Sequence, residues 1–263
     1  MNLDIYTTEM SKSIWDKAFF MDKIPGVKCV IDFGCADASM ICMLGELFPS
    51  IDFYGYDINN DLLQRATENL SQAPTNVKSV YNFEGLEGLI SRVKRTYKPQ
   101  EICINFSSVL HEVFSSSPSG KQAIQRLIST LAPRYITVRD MYFSDFRDNL
   151  INPYTREAML KDVNASDYAK FVDKFGNIKT WKDMIHFLMK YQWRDNGYEE
   201  ELKENYFSWT LKDLISLLTI DDEDTYITIY ENQYILPYYW EQWKKFIGPS
   251  MHTHAQFILR RDD

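Results

Sequence analysis

The residues best suited to bind a nucleoside lie in a short turn after an apolar run near the N-terminus. The stretch VIDFGCADASM, residues 30–40, reads as a buried strand that ends at Gly34 and leads into a helix. Such a turn can hold a ligand against the N-terminus of the following helix. Asp57 ends the next predicted strand, about 20 residues further on, where an acidic side chain can accept hydrogen bonds from both ribose hydroxyls. Asp57 could instead cap the next helix, but Asn59 or Asn60 can serve as that cap.

Two nucleoside cofactors would fit a turn of this kind. A nicotinamide dinucleotide brings its pyrophosphate against several glycines, and here Ala36 and Ala38 stand where the second and third glycines are needed. S-adenosylmethionine has no phosphate, and its methionyl ammonium and carboxylate would face the turn. Small residues suffice for that contact, and acidic residues suit the ammonium. The turn therefore favours S-adenosylmethionine over NAD.

Candidates for the transfer chemistry follow the fourth and fifth predicted strands. The segment NFSSVLHEV offers Asn105, Ser107, Ser108, His111 and Glu112, and Asp140 ends the fifth strand. Methyl transfer is a displacement at a sulfonium carbon, so a base is needed only when the acceptor must lose a proton. His111 and Asp140 are the predicted catalytic residues, as base or substrate ligand. A packing role for His111 and a capping role for Asp140 are the alternatives. No spacing of His, Cys, Asp and Glu resembles a zinc or iron site, so no metal is predicted.

Predicted strands and helices alternate along the chain. The strands cover residues 27–33, 51–57, 77–83, 101–107, 134–140, 225–231 and 254–260. Strands that alternate with single helices form a parallel sheet covered on both faces. The sequence therefore predicts an α/β fold built on such a sheet.

Residues 150–219 interrupt the alternation with helix signals alone. Ser166, Thr180 and Thr210 are predicted helix caps, and Gly176 is a helix stop. We expect a core with an N-terminal helix over residues 1–149, a helical cap inserted at 150–219, and the rest of the core sheet at 220–263. The aromatic residues between Trp181 and Trp209 either form the core of this cap or line an acceptor pocket. Candidate polar contacts to the acceptor are Arg194, Glu200, Asn205 and Tyr206.

Three motifs together resemble the class I S-adenosylmethionine-dependent methyltransferases. They are VIDFGCADAS, YGYDIN and EICINFSSVLHEV, and the resemblance covers residues 1–140 and 220–263. It implies a Rossmann-like parallel sheet of about seven strands with the last strand antiparallel. The helical insertion, which the helix signals predict, then lies between strands five and six. The two alanines in the turn depart from the pattern.

The resemblance also assigns cofactor contacts. It implies that Gly34 and its neighbours contact the methionyl part, Asp57 takes the ribose hydroxyls, Ile58 packs on adenine, and the turn holding Phe83 meets the adenine edge. The full set of predicted cofactor residues is Asp32, Gly34, Cys35, Ala36, Asp37, Asp57, Ile58, Phe83 and Ser107.

Bulk composition narrows the class of partner and the compartment. The 263 residues carry a net charge of -8, which disfavours binding to a nucleic-acid backbone. The N-terminus lacks a signal-peptide pattern, no apolar run is long enough for a membrane span, and the four cysteines form no C-x-x-C pair. We therefore expect a cytoplasmic methyltransferase for a small-molecule or nucleotide-like acceptor. A tRNA or DNA methyltransferase with a lysine-rich cap face, and a non-catalytic protein that kept the fold, are the alternatives. The sequence leaves the oligomeric state open.

Overall fold

Seven strands form one sheet in the computed structural model, which describes residues 13–116, 118–142, 148–219, 225–248 and 251–262 and leaves out the side chains of Phe83 and Ser116. The strands are β1 (Cys29–Phe33), β2 (Asp52–Tyr56), β3 (Val77–Tyr81), β4 (Ile102–Ser107), β5 (Tyr135–Met141), β6 (Tyr226–Tyr234) and β7 (His254–Arg261). Their order is β3-β2-β1-β4-β5-β7-β6. Strands β1 to β5 pair in parallel, and β7 is antiparallel to both β5 and β6. The predicted sheet of about seven strands with an antiparallel last strand is confirmed.

The central strands are buried along their whole length because helices cover both faces of the sheet. Every residue of β1 and β4 is buried. The helices of the sheet core are α1 (Ile14–Lys17), α2 (Ser39–Leu47), α3 (Asn60–Leu70), α4 (Leu86–Thr96), α5 (Leu110–Ser116) and α6 (Pro118–Leu131). The predicted alternation thus locates every strand, and the predicted ends differ from the observed ends by at most three residues.

Residues 153–219 are helical, as the capping signals predict. The helices are α7 (Pro153–Asp162), α8 (Ala165–Phe175), α9 (Trp181–Tyr191), α10 (Tyr198–Glu201) and α11 (Leu211–Thr219), and α12 (Pro237–Trp243) follows β6. Thr180 forms the predicted cap of α9, in a capping box with Asp183. The predicted cap Ser166 is wrong: Asn164 caps α8 and accepts a hydrogen bond from the backbone N–H of Ser166.

Two apolar clusters show where the cap begins and ends. One cluster joins α7 to α10 with Tyr239, Trp243 and Ile247 of the α12 region. The helix α11 belongs instead to the sheet cluster, where Leu214 and Leu218 are buried. The cap therefore runs from α7 to α10 with α12 added, and it excludes α11, which the sequence division at residue 219 had placed inside it. An apolar helix face does not say in advance which neighbour will cover it.

Among the helices in the described ranges, none is long and apolar enough to cross a membrane.

Candidate functional site

A cavity of about 1180 Å³ lies at the carboxyl edge of the sheet. Its lining includes residues that directly follow β1, β2 and β4, the ends of β5 and β6, and the first residue of β7. Cap residues Gln192, Glu201 and Tyr206 line the same cavity, and so do Ser13, Trp15 and Asp16 at α1. Parallel sheets bind their ligands at this edge. The sheet core, the N-terminal helix and the cap therefore share one cavity.

The turn after β1, residues 34–38, holds a strained backbone. Gly34, Ala36 and Ala38 have φ angles of 82°, 49° and 63°. A β-carbon at Gly34 would lie only 2.6 Å from Cγ2 of Val109, so this position requires glycine. The N–H groups of Gly34 and Cys35 donate to the Tyr56 carbonyl at 2.7 and 3.1 Å, which ties the turn to the end of β2. The two left-handed alanines each cost about 1–2 kcal/mol.

Asp57 joins this turn to the start of the next helix. Its Oδ2 accepts a hydrogen bond from the Ala36 N–H at 2.8 Å, and its Oδ1 accepts one from the Asn59 N–H at 2.9 Å. Burial raises the pKa of Asp57, and these backbone donors partly oppose that rise. Asn59, and not Asp57, caps α3 by accepting from the N–H groups of Asp61 and Leu62. The Asp57 carboxylate keeps further lone pairs on the cavity side.

Six of the predicted site residues line the cavity, and four lie behind its wall. Those that line it are Gly34, Ala36, Asp57, Ile58, Ser107 and His111, and those that do not are Asp32, Cys35, Asp37 and Asp140. The Phe83 side chain lies outside the described residues. Among the buried polar atoms of the described residues, Tyr56 Oη and Ser107 Oγ have no hydrogen-bond partner, and both residues line the cavity beside Asp57.

The residues behind the wall hold the turn and strands in place. Asp32 accepts a hydrogen bond from Asn105 Nδ2 at 2.7 Å, and Asn105 accepts one from Thr137 Oγ1 at 2.8 Å. Burial raises the pKa of Asp32 to about 6. Asp37 accepts from the Ser39 N–H at the start of α2. Cys35 is buried, with its sulfur 2.6 Å from where a β-carbon at Gly55 would stand. These contacts hold the turn and the strands in place, and a cofactor contact by Asp32, Cys35 or Asp37 stays a prediction.

His111 and Asp140 form a buried pair at the end of β5. His111 Nδ1 lies 2.7 Å from Asp140 Oδ1, while Asp140 Oδ2 accepts from the N–H groups of Val109 and Leu110 at 3.1 and 2.6 Å. Burial alone would lower the His111 pKa, but the Asp140 carboxylate, with Glu204 and Glu112, raises it to about 10. His111 is therefore protonated at neutral pH. In that state its ring has no lone pair with which to accept a proton.

Two acidic side chains, Glu204 from the cap and Glu112 from α5, lie near the other ring nitrogen of His111. Glu204 Oε2 lies 3.5 Å from His111 Nε2, and the ligand atoms of His111, Glu112 and Glu204 all lie within 4.8 Å of one another. Burial raises the pKa of Glu112 to about 7. Because protonated His111 has no ring lone pair, the trio is an ion-paired cluster in this state. Local spacing could not reveal it, since Glu204 comes from the cap.

A buried lysine, Lys190, lies inside the cap next to Glu201 and Tyr206. Lys190 is fully buried, donates to the Glu201 carbonyl, and has its Nζ 3.6 Å from the centre of the Tyr206 ring. Burial lowers the Lys190 pKa to about 8, against the opposing effect of Glu201. Tyr206 donates from its hydroxyl to the Glu201 carboxylate. Of the polar contacts predicted for the cap, Tyr206 lines the cavity, whereas Arg194, Glu200 and Asn205 do not.

Arg139, which the sequence reading missed, lines the cavity between α1 and β6. Its Nε donates to Asp16 Oδ2 at 2.7 Å, and its Nη1 donates to Ser108 Oγ at 2.6 Å. The Tyr234 hydroxyl donates to the same Asp16 oxygen at 2.7 Å. The sequence signal that could have identified Arg139 is its position as a charged residue in a buried strand, since a buried arginine needs a partner or a function.

Comparison with solved structures identifies the fold. The plantazolicin methyltransferase BamL, solved with a triazolic desmethylPZN analog and SAH, has a TM-score of 0.52 at 13% identity, over 99% of this chain and 88% of that chain. The methyltransferase domain of bacterial CtHen1 has a TM-score of 0.45 at 15% identity, over 92% and 94%. The MccD protein has a TM-score of 0.47 at 9% identity, over 94% and 96%. No protein-family model and no curated protein matches the sequence.

The strand order and the BamL comparison define the class of fold. This chain has the Rossmann-like fold of class I S-adenosylmethionine-dependent methyltransferases, and the resemblance found in its motifs is confirmed at that level. At 13% identity the comparison carries the fold and not the substrate.

Proposed function

We propose that this protein transfers a methyl group from S-adenosylmethionine to a small-molecule or nucleotide-like acceptor enclosed beneath the cap. The observation that carries the proposal is the single cavity, which reaches from Gly34 and Asp57 to Glu201 and Tyr206 of the cap. A cofactor at the first end and an acceptor at the second would meet inside one cavity. A cap over the carboxyl edge of the sheet favours a small acceptor, whereas a polymer would need an open edge to lie across.

The cofactor end has groups that fit S-adenosylmethionine. The Asp57 carboxylate is held in place by two backbone donors and faces the cavity, as binding of ribose hydroxyls requires. Ile58 is 62% exposed and offers an apolar surface for adenine. The unpartnered Tyr56 Oη and Ser107 Oγ supply two further polar atoms. The similar methyltransferase BamL was solved with SAH, which supports the same assignment here.

The chain's own residues would act chiefly by positioning. S-adenosylmethionine supplies an electrophilic methyl group, which moves to the acceptor's nucleophilic atom while the electron pair of the broken bond stays on sulfur. The cap excludes water from that transfer. Protonated His111 would orient the acceptor through Nε2, while Asp140 holds the imidazole ring in place. The neighbouring Glu112, whose pKa burial raises to about 7, would be the group nearest to exchanging a proton at neutral pH. A base role for His111 or Asp140 stays a prediction.

The nucleic-acid alternative gains no support from the cap surface. The predicted basic face there included Lys170, Lys174, Lys179, Lys182, Lys190 and Arg194. Lys190 is buried in the cap, and Lys170 is paired with Glu199 at 2.5 Å. With a net charge of -8, the remaining lysines do not make a phosphate-binding groove. All four cysteines are free thiols, which supports the proposed cytoplasmic setting.

Calorimetry with SAH and with NAD tests the cofactor assignment. We expect SAH to bind and NAD not to bind. Incubation with methyl-labelled S-adenosylmethionine and fractionated metabolite and short-peptide extracts then identifies the acceptor by the labelled product. Binding of NAD without SAH would overturn the proposal, and SAH binding with no labelled product from any fraction would favour the non-catalytic alternative.

A further inference from the structure

Arg139 lines the cavity and has one donor group, Nη2, that makes no hydrogen bond to the described residues. The side chain is 2% exposed, with Nε bonded to Asp16 and Nη1 bonded to Ser108. Its Nη2 is buried and has no hydrogen-bond partner among the described residues. A buried, charged donor without a partner destabilises the folded protein, so its retention in a cavity wall indicates a ligand.

The surroundings of Arg139 favour an anion. Lys17 is a second cation near Arg139: burial and then the Arg139 guanidinium lower its pKa to about 7, with Asp32, Asp16 and Asp140 opposing the shift. His254, also in the lining, has a lowered pKa because of burial and Arg139, and it is neutral at pH 7. Asp16 is the one carboxylate bonded to Arg139 in the described chain. The carboxylates of Glu112 in α5 and of Glu201 and Glu204 in the cap gather around His111, and none of them is bonded to Arg139 in the described chain.

We propose that Arg139 binds a carboxylate inside this cavity, through the Nη2 group of its guanidinium. With Nε and Nη1 already bonded, the N–H groups of Nη2 can still donate to a carboxylate oxygen. The carboxylate has two possible sources, the methionyl end of the cofactor and the acceptor. The first source rests on the proposed function, because Ser108 directly follows β4 beside the turn at Gly34. The second fits the aromatic lining nearby, from Trp15, Tyr234 and Tyr238.

Two matched ligand pairs distinguish these sources. The first pair is SAH and its decarboxylated analogue, and the second is 3-phenylpropionate and 3-phenylpropanamide, titrated into SAH-saturated protein. The cofactor is the source if Arg139→Met lowers the affinity for SAH by at least about tenfold and leaves the affinity for the decarboxylated analogue unchanged. Unchanged SAH affinity, with loss of a tenfold preference for the propionate over the amide, identifies the acceptor.

Three variants separate carboxylate binding from a purely structural role. Arg139→Lys keeps the charge but loses the planar edge, and we expect an intermediate loss. Asp16→Asn removes the internal anion and leaves Arg139 in place, so carboxylate affinity should rise. If Arg139 served only to anchor α1, Asp16→Asn would weaken binding as much as Arg139→Met does. If Arg139→Met does not fold, judged by circular dichroism, Asp16→Asn and Arg139→Lys carry the test.

The proposal is overturned if Arg139→Met binds both members of both pairs as the wild type does, or if Asp16→Asn weakens carboxylate binding. Failure of wild-type protein to bind SAH would overturn the proposed function instead. In that case the propionate and amide pair, titrated without SAH, still decides whether Arg139 binds a carboxylate.

Discussion

The two ends of the cavity are built by different means. At the first end, the turn of residues 34–38 and Asp57 are held by backbone hydrogen bonds and by a glycine packed against Val109. At the other end, buried ionic side chains join the sheet core to the cap, with His111 between Asp140 and Glu204. Ser115 adds hydrogen bonds to the backbone of Asn205 at 3.0 and 2.9 Å.

This contrast distinguishes a cofactor site that suits many acceptors from an acceptor site that suits few. A turn held by backbone hydrogen bonds can bind the same cofactor whatever the acceptor is. Such a turn also tolerates substitution of the side chains around it. A wall made of buried charges recognises one distribution of charge, because each unpaired charge there costs several kcal/mol. We therefore expect variants at the cap wall to affect stability and acceptor binding, and variants at the turn to affect cofactor binding.

The largest effect should come from removing the buried carboxylate at the cap wall. Asp140→Ala leaves protonated His111 without its nearest partner and leaves the N–H groups at the start of α5 without an acceptor. We expect a loss of about 3–5 kcal/mol in the free energy of unfolding, measured by urea titration. Asp37→Ala is the control, since it removes one cap bond and should cost about 1 kcal/mol. Equal losses would show that the two ends do not differ as described.

A methyl group at Gly34 tests the packing of the turn. Gly34→Ala places a β-carbon against Val109 at a φ of 82°, so strain and overpacking add. We expect a loss of about 2–4 kcal/mol in unfolding free energy, together with loss of SAH binding. Gly26→Ala is a matched control at the same φ of 82° with no atom within 4 Å, and it should show the backbone strain of about 1–2 kcal/mol alone. A Gly34→Ala protein as stable as the Gly26→Ala protein would refute the close contact.

Asp57 should act on the cofactor more than on the fold. We expect Asp57→Ala to weaken SAH binding by about 1–3 kcal/mol, the value of hydrogen bonds to a charged group, measured by calorimetry. Asn59→Ala removes the α3 cap and should lower stability by about 1 kcal/mol with little change in SAH affinity. If both variants reduce SAH affinity equally, Asp57 merely supports the turn.

The pH dependence of stability reports the charge on His111. Its pKa in the folded protein, about 10, lies above the ordinary value of 6.5, so its stabilising effect is complete below pH 6.5 and is lost as pH rises through 10. The stability gap between wild type and His111→Gln should therefore narrow from pH 6 to pH 10, by at most about 1.4 kcal/mol per pH unit. The gap is the measured quantity because Lys17 and Lys190 have lowered pKa values and act in the opposite sense in both proteins. A constant gap would mean that His111 is neutral.

The sequence by itself determined the sheet and the turn at its edge. Alternation of apolar runs with amphipathic helices is a local signal, and it located β1 to β7 and the helical character of the insertion. The turn was also readable, because Gly34 and Asp57 belong to neighbouring strand ends whose relation follows from a parallel sheet. Asn59 and Thr180 were found as helix caps for the same reason, since a cap depends on residues within one turn.

Only the tertiary structure decided which side chains meet across the cavity. Glu204 reaches His111 from the cap, and Asp16 reaches Arg139 from α1, over sequence distances that carry no periodic signal. The packing of α11 on the sheet cluster and of α12 on the cap cluster was also decided only by the tertiary structure, because an apolar helix face can pack against any apolar partner. Buried charge pairs are specified by three-dimensional proximity and desolvation, and neither is written in the local order of residues.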